Sequence, residues 1–287
     1  MTGFSEITLL LSAPLLLAAA GELILERSGS IQIGVEGTML VGAFTAFAAG
    51  YQGAPATVAL LAGGLAGSLC GALFALVAIA GRADPILTGT AWNLLAFGAT
   101  AFAYRLVAGE TGSVLEVETL GRTVLGLPAP VLLTFALPLL LHVFLFRTRP
   151  GLRLSAAGEN PEAVRALGGS VVTMRTWASV FSGLAAGLGG GLLVVTISPT
   201  FVEGVTAGRG FLALAIVVFS RWKPLALIPA SLLMGAATAF QYRLQAEGAT
   251  SIPYAVFLAL PGILALAALG VSSARGGTPK ALGSPAP

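Results

Sequence analysis

Long apolar stretches broken by short polar ones run along almost the whole 287-residue chain. A helix needs about 20 apolar residues to cross the hydrocarbon of a bilayer. The gaps between charges predict such spans at about Ile7 to Leu25, Ile31 to Gly50, Pro55 to Ala80, Pro85 to Tyr104, Pro128 to Phe146, Trp177 to Ile197, Pro224 to Tyr242 and Pro253 to Gly270. One segment differs: between Arg209 and Arg221 lie only eleven uncharged residues, GFLALAIVVFS. That is too short for a crossing and predicts a half-helix inside the protein or the end of a broken one. The predicted fold class is an all-α polytopic membrane protein with about eight to ten transmembrane helices, some short or broken.

Residues 147–176 are the one long polar stretch inside this pattern, and they carry five of the fifteen basic residues: Arg147, Arg149, Arg153, Arg165 and Arg175. A short helix is predicted in the middle. Asn160 can accept free backbone N–H groups at its start, Pro161 suits the first helical position, Glu162 lies at the positive dipole end, and Gly168 can stop it. The organisation expected is one membrane domain over residues 1–271, with 147–176 as its cytoplasmic loop. Residues 272–287, rich in Gly, Pro and Ser, are expected to form a disordered cytoplasmic tail.

Composition narrows the function. Charged residues make up 9% and hydrophobic ones 56% of the chain, against roughly a quarter charged in a soluble domain, so the solvent of this fold is the lipid bilayer. The net charge of +3 belongs to residues clustered beside apolar spans, which follows membrane sidedness and excludes a nucleic-acid stripe. The single cysteine, Cys70, permits no intrachain disulfide and no thiol metal site. Ala18-Ala19-Ala20-Gly21 looks superficially like a signal cleavage site, but Met1 to Glu6 holds no Lys or Arg, so a retained first span is expected.

With 147–176 cytoplasmic and about nine passages, Arg27, Arg82, Arg221, Lys223, Arg275 and Lys280 also fall inside, and Arg105, Arg122, Arg209 and Arg243 fall outside. Gly34 to Phe44 (GVEGTMLVGAF) resembles Gly208 to Phe219 (GRGFLALAIVVF), and each is followed by a turn and a proline-started span. In this topology the two copies run in opposite directions, the arrangement of inverted-repeat transporters.

Several intramembrane residues stand out. Gly63, Gly67 and Gly71, and likewise Gly183, Gly187 and Gly191, repeat every four residues and predict close helix packing. Glu36 must face protein or water, either lining a pathway or capping backbone N–H groups where a segment is broken. Arg209, between Gly208 and Gly210, carries the same pair of readings and also suits a plain interfacial position. Asn93 lies mid-span, suited to helix-to-helix hydrogen bonding or to substrate contact. Gln32, Thr90 and Asn93 offer neutral polar groups to a pathway. No Ser/His, paired-carboxylate or metal-ligand constellation appears among the spans, so no catalytic residue, metal or cofactor is expected. The phosphate-loop pattern is missing, because Lys223 follows Trp222 and Lys280 follows Pro279. Energy is expected to come from something bound to the cytoplasmic loop.

Three ordered stretches carry a family resemblance: Glu26 to Phe44 (ERSGSIQIGVEGTMLVGAF), Gly151-Leu152-Arg153 through Gly158-Glu159-Asn160-Pro161-Glu162-Ala163, and Thr206 to Ala215 (TAGRGFLALA). Together, over about residues 20–245, they resemble the permease subunits of bacterial ABC importers. The similarity is to the branch that takes up nucleosides or simple sugars, related to ribose and branched-chain amino-acid permeases. The resemblance implies a multi-pass protein of the bacterial inner membrane, paired with a second permease subunit, commonly as a heterodimer. It also implies two cytoplasmic ABC ATPase subunits and an extracytoplasmic substrate-binding protein as partners. It makes Glu159 to Leu167 a coupling helix for the ATPase, with Gly158, Glu159, Asn160, Pro161, Glu162, Ala163, Arg165 and Leu167 as its residues. Gln32 stands where that family usually has Asn, and Gly169-Ser170-Val171 replaces its more common Ile-Asn-Val. A branched-chain amino-acid permease and a self-sufficient secondary carrier are the alternatives.

Overall fold

A computed structural model describes residues 3–108, 116–123, 126–246, 262–263 and 277–284. Apart from Gly262 and Ile263, the expected span Pro253 to Gly270 lies outside the described residues. The elements are helical throughout the described part. They are α1 (Phe4–Arg27), α2 (Val35–Tyr51), α3 (Ala56–Phe74), α4 (Pro85–Ala108), α5 (Ala129–Thr134), α6 (Leu137–Arg147), α7 (Arg149–Glu159), α8 (Pro161–Ala166), α9 (Val171–Leu192), α10 (Arg209–Phe219) and α11 (Leu227–Ala246). Wider π-helical turns extend α3 through Ala75–Ala80 and α9 through Leu193–Ile197. Six helices among the described residues are long and apolar enough to cross a membrane.

Helix α1 is the axis of the bundle. Its Leu15, Leu16, Leu23 and Leu25 are buried with Met39 of α2, Ile216 and Val217 of α10, and Leu227 and Met234 of α11. The outward faces of α3 and α4 are leucine-rich and exposed, at Leu61, Leu65, Leu69, Leu87, Leu94 and Leu95. A soluble protein seldom exposes such a continuous apolar surface, and hydrocarbon tails cover it without cost.

Glycines set the spacing of α2, α3 and α9. A Cβ on Gly67 would overlap the carbonyl oxygen of Gly183, and one on Gly187 would overlap that of Gly63. A Cβ on Gly63 would lie 2.6 Å from Gly42 O, so the three backbones converge on one another. Ser179 Oγ donates to Gly71 O at 2.7 Å, adding an interhelical bond where the glycines let the chains approach. Gly191 sits at looser spacing, with Leu60 Cδ1 at 3.1 Å from its position for a Cβ.

Chain direction follows from these contacts. Near the end of α1, Ser28 O receives Arg175 Nε from the start of α9, and further back Gly189 lies against Pro14, so α1 and α9 are antiparallel. After α1 the chain turns at Ser28–Ser30 and re-enters the bundle: Gln32 N donates to Glu22 Oε1 at 2.8 Å. Glu22 lies five residues before Arg27, about 7 Å up the helix, so α2 begins inside the bundle. After α9 the chain does the same from the other end, and α10 begins just after Gly208, whose N–H donates to Glu36. The sequence repeat therefore corresponds to two glycine-preceded helices, α2 and α10, that start inside the molecule and run in opposite directions. The eleven-residue α10 is the half-helix that the spacing of Arg209 and Arg221 predicts.

The polar stretch 147–176 contains more helix than its short middle motif. Thr148 Oγ1 accepts from Gly151 N at 3.2 Å and starts α7, which occupies the region before Asn160. The stretch expected to be a tail includes residues 277–284, which pack on the bundle: Ala281 is buried, and Leu282 packs against the central core.

Candidate functional site

The starts of α2 and α10 meet at a group of buried polar side chains. Glu36, 1% exposed, accepts from Thr206 Oγ1 at 2.6 Å and Gly208 N at 2.8 Å through one carboxyl oxygen, and from Gly210 N at 2.6 Å through the other. These amides belong to the N-terminal turn of α10, whose first N–H groups have no partner within the helix. Glu36 is thus a cap supplied by one half-helix to the other. A Cβ on Gly210 would lie 2.5 Å from Glu36 Cα, so glycine is required there for the close approach.

Asn93 of α4 serves α2 in the same way. Its Oδ1 accepts from Gly37 N at 2.8 Å, and its Nδ2 donates to Ile33 O at 3.0 Å. Gln32 is 1% exposed and donates through Nε2 to Thr38 Oγ1 at 3.3 Å, the same hydroxyl that receives Trp92 Nε1 at 3.1 Å. Thr90 stands apart, exposed on α4 with its hydroxyl bonded to Ile86 O.

Arg209 turns the other way, into a cavity of about 850 Å³ between the end of α9, the 198–208 loop, α10 and α11. Its Nη1 donates to Val205 O and Thr206 O, both at 3.1 Å, and its Nη2 to Tyr242 Oη at 3.0 Å. Ser198, Thr238, Gln241, Tyr242 and Gln245 add neutral polar groups to the wall, beside Leu193, Phe211 and Leu212. Glu203 also lines it and pairs with Arg105 at 3.0 Å. The structure therefore gathers Gln32, Glu36 and Asn93 around the helix starts and places Arg209 alone of these in the cavity wall.

Two further carboxyl groups are wholly buried in α1. Glu22 accepts from Gln32 N and from Ser182 Oγ at 3.0 Å, and Glu26 accepts from Trp222 Nε1. Arg27 donates to Trp222 O at 3.0 and 2.8 Å. The turn after α10 needs such support, because Arg221 and Trp222 both hold a φ of +54°. Glu22 and Glu26 lie four residues apart, hence on one face of α1, and that spacing inside an apolar span was the available signal.

At the same end, α8 projects from the bundle. Asn160 Oδ1 accepts from Ala163 N at 3.1 Å, Pro161 opens the helix, and Gly168 takes a φ of +77° just beyond it. Glu159, Glu162, Ala163 and Arg165 are exposed, and Leu167 is 90% exposed. Val164 anchors the element against Ala157, Val171 and Met174, and Gly158 lies against Arg27 O, where a Cβ would not fit.

Residues 5–269 match the sequence profile of the branched-chain amino acid transport system / permease component family. The chain belongs to this permease family. The permease is 36% identical to the guanosine ABC transporter permease protein NupQ of Bacillus subtilis, an alignment covering 97% of this chain and 94% of the relative. It is 32% identical to the nucleoside ABC transporter permease protein NupC of Lactococcus lactis, over 96% and 93% of the two chains. A putative glucose ABC transporter permease protein of Haloferax volcanii is 31% identical over 85% of the permease and 78% of its own length. The permease is thus a transport component of the ABC importer type, a multi-pass protein of the bacterial plasma membrane.

Proposed function

We propose that this permease carries nucleosides through the membrane, passing by the cavity beside Arg209, with α8 as the element that docks in a cytoplasmic ATPase. Near-full-length identity to two nucleoside permeases is the observation that carries the reading. The cavity supports it. A nucleoside is neutral and polar, and the two charges among the described residues of the wall are already engaged, Arg209 by two carbonyls and Tyr242, Glu203 by Arg105. A zwitterionic amino acid asks for free counter-charges. Simple sugars are the second reading, favoured by the glucose-permease relative and by the same neutral wall. A second permease chain, two ATPase subunits that hydrolyse ATP, and an extracytoplasmic binding protein complete the transporter. ATP binding draws the α8 elements together, and the bundle alternates between inward and outward openings about the meeting point of its half-helices.

Two measurements test this. Mass spectrometry of the cargo on the cognate binding protein is expected to find a nucleoside, and an amino acid there would overturn the substrate assignment. Replacing Glu159 to Glu162 with a Gly/Ser stretch is expected to abolish ATPase copurification while the membrane part still folds. Undiminished copurification would overturn the role of α8.

A further inference from the structure

At the α8 end, residues 277–284 join chain segments distant in sequence, two of them through main-chain hydrogen bonds. Ala281 N donates to Gly158 O at 2.9 Å, at the base of α8. Gly283 N donates to Gly29 O at 3.2 Å, in the turn that leads to α2. Gly277 lies beside Arg221 and Trp222, in the turn that ends α10. Leu282 packs on the core cluster that contains Leu154 of α7 and Trp222. Arg175, 1% exposed, fastens the arrangement from α9: its Nε donates to Ser28 O at 3.1 Å and its Nη1 to Ser284 O at 2.8 Å.

A guanidinium buried to that degree needs acceptors, and here it takes main-chain carbonyls from two segments. The planar fork spans both at once, which a lysine ammonium cannot do. Helix α8 is six residues long, and its one buried side chain, Val164, packs on Ala157, Val171 and Met174. The backbone from Gly277 to Ser284 connects the base of α8 to the turn before α2 and lies against the turn after α10.

We propose that residues 277–284, held by Arg175, are a transmission strap: Arg175 is a positioning residue that fixes α8 relative to the turns before α2 and after α10, so that movement of α8 reaches the pathway. This rests on the reading of α8 as the ATPase-docking element. The partner motion it transmits is that of the hydrolysing subunits.

The test compares substrate imported per ATP hydrolysed, in proteoliposomes holding the assembled transporter and its binding protein. Three variants are compared with the unaltered chain: removal of residues 277–287, Ala281→Pro, which deletes the N–H that reaches Gly158 O, and Arg175→Lys, which keeps the charge and loses the fork. All three are expected to bind the ATPase and hydrolyse ATP, with import per ATP falling severalfold and Ala281→Pro the mildest. Unchanged import per ATP in Ala281→Pro and Arg175→Lys overturns the strap, and these two decide if the truncated chain does not assemble. Hydrogen–deuterium exchange on the unaltered chain separates this from the α8 reading. Protection is expected at Ala281 and Gly283, lost in Arg175→Lys, whether or not an ATPase copurifies. Exchange at the solvent rate at both amides overturns the docking itself.

Discussion

Glu36 shows how one residue solves a problem that burial creates. The first N–H groups of α10 have no partner within the helix, and one that is buried costs about 1–3 kcal/mol if left without an acceptor. Glu36 takes Gly208 N, Gly210 N and the Thr206 hydroxyl together. Glu36→Ala orphans all three donors and is expected to lower the melting temperature of the detergent-purified protein by far more than Thr206→Val, which removes one donor and leaves the two amides bonded. Equal melting temperatures for the two variants would contradict the cap. The sequence marks Glu36 as a residue that must face protein or water, and leaves pathway and cap both open, because the acceptor and its donors are 170 to 174 residues apart. Glu22 and Glu26 correct the expectation of no paired carboxylates among the spans, since both are buried on one face of α1. Their partners, Ser182 and Trp222, are likewise remote in the chain.

At the scale of elements, local chemistry was readable and long-range contact was not. Asn160, Pro161 and Gly168 define α8 within nine residues, and the structure has the helix between those signals. The half-helix α10 is written in the eleven residues between two arginines, and the α2/α10 repeat in their glycines. Helix α7 escaped because its arginines and glycines read as loop, whereas Thr148 and Pro150 supply a proper start. The strap escaped because Gly, Pro and Ser carry no apolar signal, and its hold is on main chain. Which glycines touch which also needed the fold. Gly67→Ala is expected to push α3 from α9 and cost about 1–3 kcal/mol, seen as a lower melting temperature. Gly98→Ala, whose Cβ would meet nothing within 4 Å, is expected to leave it unchanged. If both behave alike, the glycine contact does not set the helix spacing.

For the whole molecule, the charges sort by end. Arg27, Arg175, Arg221 and α8 gather at one, and the Arg105–Glu203 and Arg122–Glu6 pairs at the other. With the α8 end cytoplasmic, Leu167→Cys is expected to react with an impermeant maleimide in inside-out vesicles and not in intact cells, and Gln52→Cys the reverse. Cys70 is buried and gives little background. Labelling of Leu167→Cys from outside intact cells would invert the orientation. The encounter of α2 and α10 also has an electrostatic consequence. Two helix starts aimed at each other would concentrate positive potential at the waist of a low-dielectric slab, a trap for any passing phosphate or chloride. Asn93 and Glu36 occupy amides of both starts beforehand, so that field is answered by the protein's own oxygens and not by ions drawn from solution.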